Sequence, residues 1–263
     1  MSRIAKRFER LRLEKRTGLV TYVTAGDPDL GRTADVLCAL DRAGADVLEV
    51  GVPFSDPLAD GPVIQRASER ALAGGTTLDR VLALVARLRP AIGAPIVLFS
   101  YANPLYRMGF ELFAHRAAEA GVDGVLALDL PMEEADVLRT PLAQAGVDMI
   151  FLLSPTTTDE RMRKAGELGS GFLYAISRLG VTGARATLST GIADLVARIR
   201  RASSLPVAVG FGVSTSRHVA EIGRSADAAV VGSALVRLIE EHAGAPDFTA
   251  RLERYVRQLR GGA

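Results

Sequence analysis

The chain has 263 residues, 48% of them hydrophobic, with 32 Lys and Arg against 30 Asp and Glu and a net charge of +2. That length fits one large domain or two small ones with a sizeable core, and the basic residues are spread along the chain, without the patch that a nucleic-acid binder presents. The single cysteine, Cys38, excludes an intrachain disulfide, three scattered histidines (His115, His218, His242) argue against a His-based metal centre, and no apolar run approaches the ~18 residues of a membrane span. The N-terminus is Arg-rich, but Glu9 and Glu14 argue against a transit peptide. Ile4, Phe8 and Leu11 instead give one apolar face of a helix. A cytoplasmic location is expected.

Leu19 to Thr24 reads as the first strand, ended by Ala25-Gly26-Asp27-Pro28, and a helix follows over about 32–42. A junction then repeats: Ala43-Gly44-Ala45-Asp46, Ala120-Gly121-Val122-Asp123 and Ala145-Gly146-Val147-Asp148, with Ser225-Ala226-Asp227 as a weaker copy. Glycine supplies the left-handed residue that closes a helix, and a short apolar run follows each junction. With Ile96–Phe99, Phe172–Ala175 and Val207–Val209, the chain has eight such runs: 19–24, 47–48, 96–99, 124–127, 149–152, 172–175, 207–209 and 228–231. Strands apolar on both faces belong to a parallel sheet covered by helices. Helical patterns alternate with them at about 63–73, 78–89, 110–119, 133–144, 159–168, 190–201, 215–223 and 233–242, and Thr157 and Glu160 have capping-box spacing. Eight β/α units predict an α/β fold, a single (β/α)8 TIM barrel with an extra N-terminal helix, as one domain over 1–263. An open doubly wound sheet is the alternative architecture. The active site is then expected at the C-terminal ends of the strands.

The second strand runs into Glu49-Val50-Gly51-Val52-Pro53-Phe54-Ser55-Asp56-Pro57-Leu58-Ala59-Asp60-Gly61-Pro62. Glu49 reads as the strand end, where a buried unpaired carboxylate would be costly. Asp56 and Asp60 follow in a loop stiffened by three prolines, the last of which can open the next helix. Any one of these acids alone reads as a polar turn; prolines on both sides make the set functional. Towards the C-terminus, Gly210-Phe211-Gly212-Val213-Ser214 follows the seventh strand and Gly232-Ser233 the eighth. Glycine turns and helix N-termini at those strands are where barrels hold phosphate on backbone N–H groups. The long 178–189 loop is a candidate lid, and Gly183 within it could complete the site. Tyr22, Phe99, Leu126, Tyr174 and Val230 lie near strand ends as candidate walls, Leu126 and Val230 reading most readily as barrel core. Acids at one end, a phosphate cradle at the other and an apolar slot between them imply a flat hydrophobic substrate with a phosphate tail. None of the three lysines (Lys6, Lys15, Lys164) ends a strand, which argues against Schiff-base chemistry and leaves carboxylate acid–base catalysis.

The Glu49 to Pro62 run resembles the signature of the tryptophan synthase alpha chain family, and the resemblance extends from Arg7 to about Arg257. It implies cleavage of indole-3-glycerol phosphate to indole and glyceraldehyde 3-phosphate. By resemblance Glu49 matches the acid–base carboxylate, and Asp60 the acid that holds the indole N–H. Tyr174 matches a strand-six tyrosine, Thr182 and Gly183 the lid motif, and Gly212, Gly232 and Ser233 the phosphate cradle. It further implies no cofactor and no metal in this chain, and a pyridoxal-phosphate beta chain as partner in an alpha2-beta2 heterotetramer. Two residues depart from the pattern: Tyr22, where the family often has Phe, and Leu179, where a smaller or polar residue is usual in the lid. Three other readings stay open: a stand-alone indole-3-glycerol-phosphate lyase, a non-catalytic phosphate-binding regulatory barrel, and a sugar-phosphate isomerase or epimerase. Intact Glu49 and Asp60 argue against the second; the aromatic slot and missing metal ligands argue against the third.

Overall fold

A computed structural model describes residues 1–176, 191–210 and 212–261. The expected lid at 178–189, with Thr182, Gly183 and Leu179, lies outside the described residues. Among those described, nine parallel strands alternate with twelve α-helices. The strands are β1 (Gly18–Thr24), β2 (Val47–Gly51), β3 (Ile96–Ser100), β4 (Gly124–Ala127), β5 (Asp148–Met149), β6 (Phe151–Leu153), β7 (Leu173–Ile176), β8 (Val207–Gly210) and β9 (Ala228–Val231). They pair in the order β5-β4-β3-β2-β1-β9-β8-β7-β6. The two ends of that order are consecutive pieces of chain. β5 pairs with β4 and β6 pairs with β7, while between them Ile150 donates to the Val125 carbonyl at 2.9 Å. The expected fifth strand is therefore one barrel stave that changes neighbour at Ile150, and the barrel has eight positions. The expected single (β/α)8 TIM barrel with an extra N-terminal helix is borne out, in place of an open doubly wound sheet.

The helices are α1 (Arg3–Leu13), α2 (Leu30–Arg42), α3 (Pro62–Ala73), α4 (Leu78–Leu88), α5 (Ala102–Met108), α6 (Phe110–Ala120), α7 (Asp136–Gln144), α8 (Asp159–Leu168), α9 (Ile192–Ala202), α10 (Ser216–Ile222), α11 (Ser233–His242) and α12 (Phe248–Leu259). Two of them, α5 and α12, have no counterpart in the sequence reading. The expected capping box at Thr157 is also corrected: Thr158 caps α8, accepting from the Arg161 N–H, and Thr157 accepts from the Ser154 N–H instead. The glycines at the three repeated junctions do adopt positive φ, +93° at Gly44, +82° at Gly121 and +74° at Gly146.

Side chains sort by strand parity into two cores. Leu19 and Val23 of β1, Leu48 and Val50 of β2, and Leu98 of β3 face the helices. Val20, Val47, Val97, Leu126, Ile150, Phe172, Ala208, Ala228 and Val230 fill the barrel interior. α1 closes that interior from below. Ile4, Phe8 and Leu11 are buried in the same cluster, and the Phe8 ring lies 5.5 Å from that of Phe172. Burying each such side chain contributes about 1.5–3 kcal/mol. Ser2 caps α1 and also donates to Asp148 at 2.6 Å, which fixes the plug to the foot of β5.

The junction aspartates do related work at this lower end. Asp46 accepts from Arg16 at 2.8 and 2.9 Å and from the Leu19 N–H at 2.9 Å. Asp123 accepts from the Ile96 N–H at 2.8 Å and from Arg89 at 3.0 Å, and Asp227 from the Val207 N–H at 2.8 Å. Each carboxylate thus ties the foot of one strand to an N–H at or near the start of its neighbour.

Candidate active site

The upper, C-terminal end of the barrel opens into a cavity of about 360 Å³, within the usual range for a small-molecule site. Glu49 lies on its wall. The sequence reading put Glu49 at the strand end; it is the middle residue of β2, because Val50 and Gly51 continue the ladder against Val23 and Thr24. That places the carboxyl two residues deep. It is fully buried, and neither oxygen has a hydrogen-bond partner among the described residues. Burial alone pushes its pKa from 4.5 up to about 8. An acid in this state is protonated at neutral pH yet close enough to titration to give and take a proton.

Asp60 reaches the same cavity from the loop ahead of α3. The loop turns on itself through Leu58 N–H to Asp56 O (2.9 Å) and Asp60 N–H to Pro57 O (3.0 Å), and Pro62 opens α3 as expected. Asp60 is 6% exposed; burial pushes its carboxyl up to about 6, and a hydrogen bond from Tyr101 pulls the other way. The Tyr101 hydroxyl also accepts the Ala59 N–H at 3.0 Å, so one phenol holds both residues. Asp56, by contrast, is exposed, and its carboxylate is bonded only by Ser55 (2.5 Å) among the described residues; it takes no part in the cavity.

The walls between are apolar and aromatic. Tyr22 and Phe99 meet edge to face at 5.2 Å, and Tyr174, Ile176, Leu128, Leu152, Ile64 and Val230 complete the slot. Burial raises both tyrosines well above the ordinary phenol value, and a neighbouring carboxylate pushes the same way: Asp60, and Glu49 once ionised, at Tyr22, and Glu49 once ionised at Tyr174. Each phenol needs a glycine beside it: a Cβ at Gly51 would strike the Tyr22 hydroxyl, and one at Gly210 the Tyr174 hydroxyl.

At the far side the cavity is lined by Gly212, Val213, Gly232, Ser233 and Ala234. Gly212 stands at φ +80°. α11 begins at Ser233 with no side-chain cap among the described residues, and its first residues, Ser233 and Ala234, line the cavity. Arg66 and Arg70 of α3 both bond Glu240 of α11 at 2.8 Å, and Arg70 also holds buried Asp27 at 2.8 Å. This network fixes the helix after Asp60 to the helix that starts at Ser233.

Of the sequence candidates, Glu49, Asp60, Tyr22, Phe99, Tyr174, Val230, Gly212, Gly232 and Ser233 meet at one cavity. Leu126 does not: it is fully buried in the barrel interior one layer down. The residue two further along, Leu128, is the wall. Leu128, Leu152 and Ile176 were missed, although strand alternation points to them: each stands two after an interior residue, namely Leu126, Ile150 and Tyr174. Tyr101 had no such signal.

Residues 8–262 match the tryptophan synthase alpha chain family. The chain is 50% identical to the tryptophan synthase alpha chain of Citrifermentans bemidjiense over 262 residues, covering 100% of this chain and 98% of that one. It is 46% identical to that of Pelobacter propionicus over the full length of both. Among solved structures, that of Mycobacterium tuberculosis tryptophan synthase superposes with a TM-score of 0.92 at 38% identity, covering 99% of this chain and 98% of that one. The tryptophan synthase subunit alpha of Legionella pneumophila gives 0.89 at 38%, with the same coverage. A (β/α)8 barrel with a buried glutamate facing glycine turns across an apolar slot accords with these likenesses, and the chain belongs to the tryptophan synthase alpha chain family.

Proposed function

We propose that this cavity carries out the reaction of its family, cleavage of indole-3-glycerol phosphate to indole and glyceraldehyde 3-phosphate, with Glu49 as the acid–base group. The observation that carries the assignment is the Glu49 carboxyl: fully buried on the cavity wall, without a hydrogen-bond partner among the described residues, and raised to about 8. A protonated Glu49 delivers its proton to indole C3. The resulting carboxylate takes the proton of the glycerol C1′ hydroxyl as the bond from C1′ to C3 breaks, so no net proton is consumed. Asp60 accepts the indole N–H and opposes the positive charge that C3 protonation places on the ring, an interaction that strengthens only towards the transition state. Tyr22, Phe99, Leu128 and Tyr174 hold the ring, and the N–H groups at Gly212, Gly232 and Ser233 hold the phosphate.

The partner in this reading is a beta chain that takes up the indole, in an alpha2-beta2 assembly, with pyridoxal phosphate belonging to that partner. Leu58, which lines the cavity and is 89% exposed, supports a docking face at its mouth. The test is indole release from indole-3-glycerol phosphate, measured with and without beta chain. Slow release that the beta chain accelerates is the expected result. Full activity without any gain from the partner would install the stand-alone lyase instead, and no release in either case would leave a regulatory barrel.

A further inference from the structure

We propose that His218 and Tyr255 are positioning residues for the anion-binding loop, gripping Ser214 from opposite sides so that Gly212 is held in its binding conformation. The proposal rests on the phosphate reading above. The loop between β8 and α10 carries Gly212 and Val213 on the cavity wall, and Ser214 follows directly. Both backbone groups of Ser214 are taken by side chains. Its N–H donates to His218 Nδ1 at 3.3 Å, and its carbonyl accepts the Tyr255 hydroxyl at 2.8 Å. His218 belongs to α10 and Tyr255 to α12, so two helices hold one residue. The His218 backbone N–H is itself fixed by the Thr215 hydroxyl at 3.2 Å, and the residue is 3% exposed.

A buried histidine that the chemistry does not use needs a structural or functional reason. Here an acceptor at Nδ1 requires the imidazole proton on Nε2, which defines one tautomer of a neutral ring. An anion site made of backbone N–H groups depends on those groups being aimed beforehand, because they have no side-chain freedom with which to adjust. Gly212 stands at φ +80°, a conformation that only glycine adopts freely, and Ser214, two residues on, is where the restraint falls. The clamp also gives α12 a task in substrate binding although it lies outside the β/α alternation.

The experiment is calorimetric titration of the full chain with glycerol 3-phosphate, alongside kcat and KM for indole release. His218→Leu and Tyr255→Phe each weaken glycerol 3-phosphate binding about three- to tenfold, the usual worth of one hydrogen bond, and raise KM with kcat unchanged. His218→Asn, whose Oδ1 can replace Nδ1 as acceptor, restores affinity to within about twofold. A Gly232→Asp variant tests the phosphate reading by itself. If it binds normally, that reading fails and the clamp with it. If it loses binding while both His218→Leu and Tyr255→Phe keep normal affinity and only melt earlier, the clamp is wrong and the two residues serve stability alone. Weakening in His218→Leu that His218→Asn does not relieve also overturns the hydrogen-bond account. Tyr255→Phe removes one atom, so it answers the question even where His218→Leu does not fold.

Discussion

The two ends of the barrel treat buried carboxylates in opposite ways. At the lower end Asp46 is 1% exposed and is met by two guanidinium nitrogens of Arg16 and a backbone N–H. At the upper end Glu49, only three residues later in the same chain segment, is equally buried and met by nothing among the described residues. Asp123 shows the intermediate case: burial pushes it up, and the Ile96 N–H and Arg89 pull it back. A buried charge with partners fixes structure, whereas a buried acid without them keeps its proton and so stays available for chemistry. One strand, β2, carries the stable arrangement at its foot and the reactive one at its middle.

Four substitutions sharpen that contrast, taken from the largest effect down. Glu49→Gln removes the only unpartnered acid of β2; turnover is expected to fall about 10²–10⁴-fold, with glycerol 3-phosphate affinity unchanged by calorimetry. The same variant has a pH signature in stability. With its pKa raised in the fold, Glu49 contributes stability that is complete below its unfolded value of 4.5 and is lost as pH rises through about 8. The glutamine has no such loss, so its melting temperature gains on the parent between pH 5 and pH 9, by a free energy on the order of 4 kcal/mol. Parallel melting curves at both pH values would mean that Glu49 is not buried as a neutral acid.

Asp46→Ala breaks the opposite case. It takes the acceptor from the buried Leu19 N–H and leaves Arg16 only its Glu14 contacts among the described residues, and chemical denaturation is expected to show a loss of about 3 kcal/mol, while kcat of the folded protein is retained. A large fall in kcat there would erase the division between the two ends.

Asp60→Asn keeps an acceptor for the indole N–H and loses the charge. Turnover falls about 10²-fold with a smaller rise in KM; the reverse pattern in steady-state kinetics would make Asp60 a holding group only. Tyr22→Phe is the smallest change. Its hydroxyl makes only a long contact to Thr24, 3.4 Å, among the described residues, so kcat and KM should stay within about twofold.

Much of this was legible in the sequence for identifiable reasons. The glycine junctions and doubly apolar runs state a parallel barrel, and prolines around Asp60 mark a shaped loop. The depth of Glu49 was not legible, because Val50 and Gly51 read as loop until the neighbouring strands pair with them. Leu126 reads both as barrel core and as a candidate wall because its strand end is near the cavity; in a barrel filled in layers it is core, and the residue two further on is the one that emerges. The breaks at Ile150 and the helices α5 and α12 are set by tertiary neighbours that periodicity does not record. The Tyr101 hold on Ala59 and Asp60 joins residues 42 positions apart, a distance no local pattern spans.

The central claim is that Glu49 holds its proton in the resting protein. Difference infrared spectroscopy of the parent against Glu49→Gln, across pH, reads that proton directly. The account predicts a protonated-carboxyl stretching band at pH 7 that is missing from the variant and disappears with a midpoint near 8. A difference spectrum that shows only carboxylate at pH 7, with a midpoint in the ordinary range near 4.5, would contradict it.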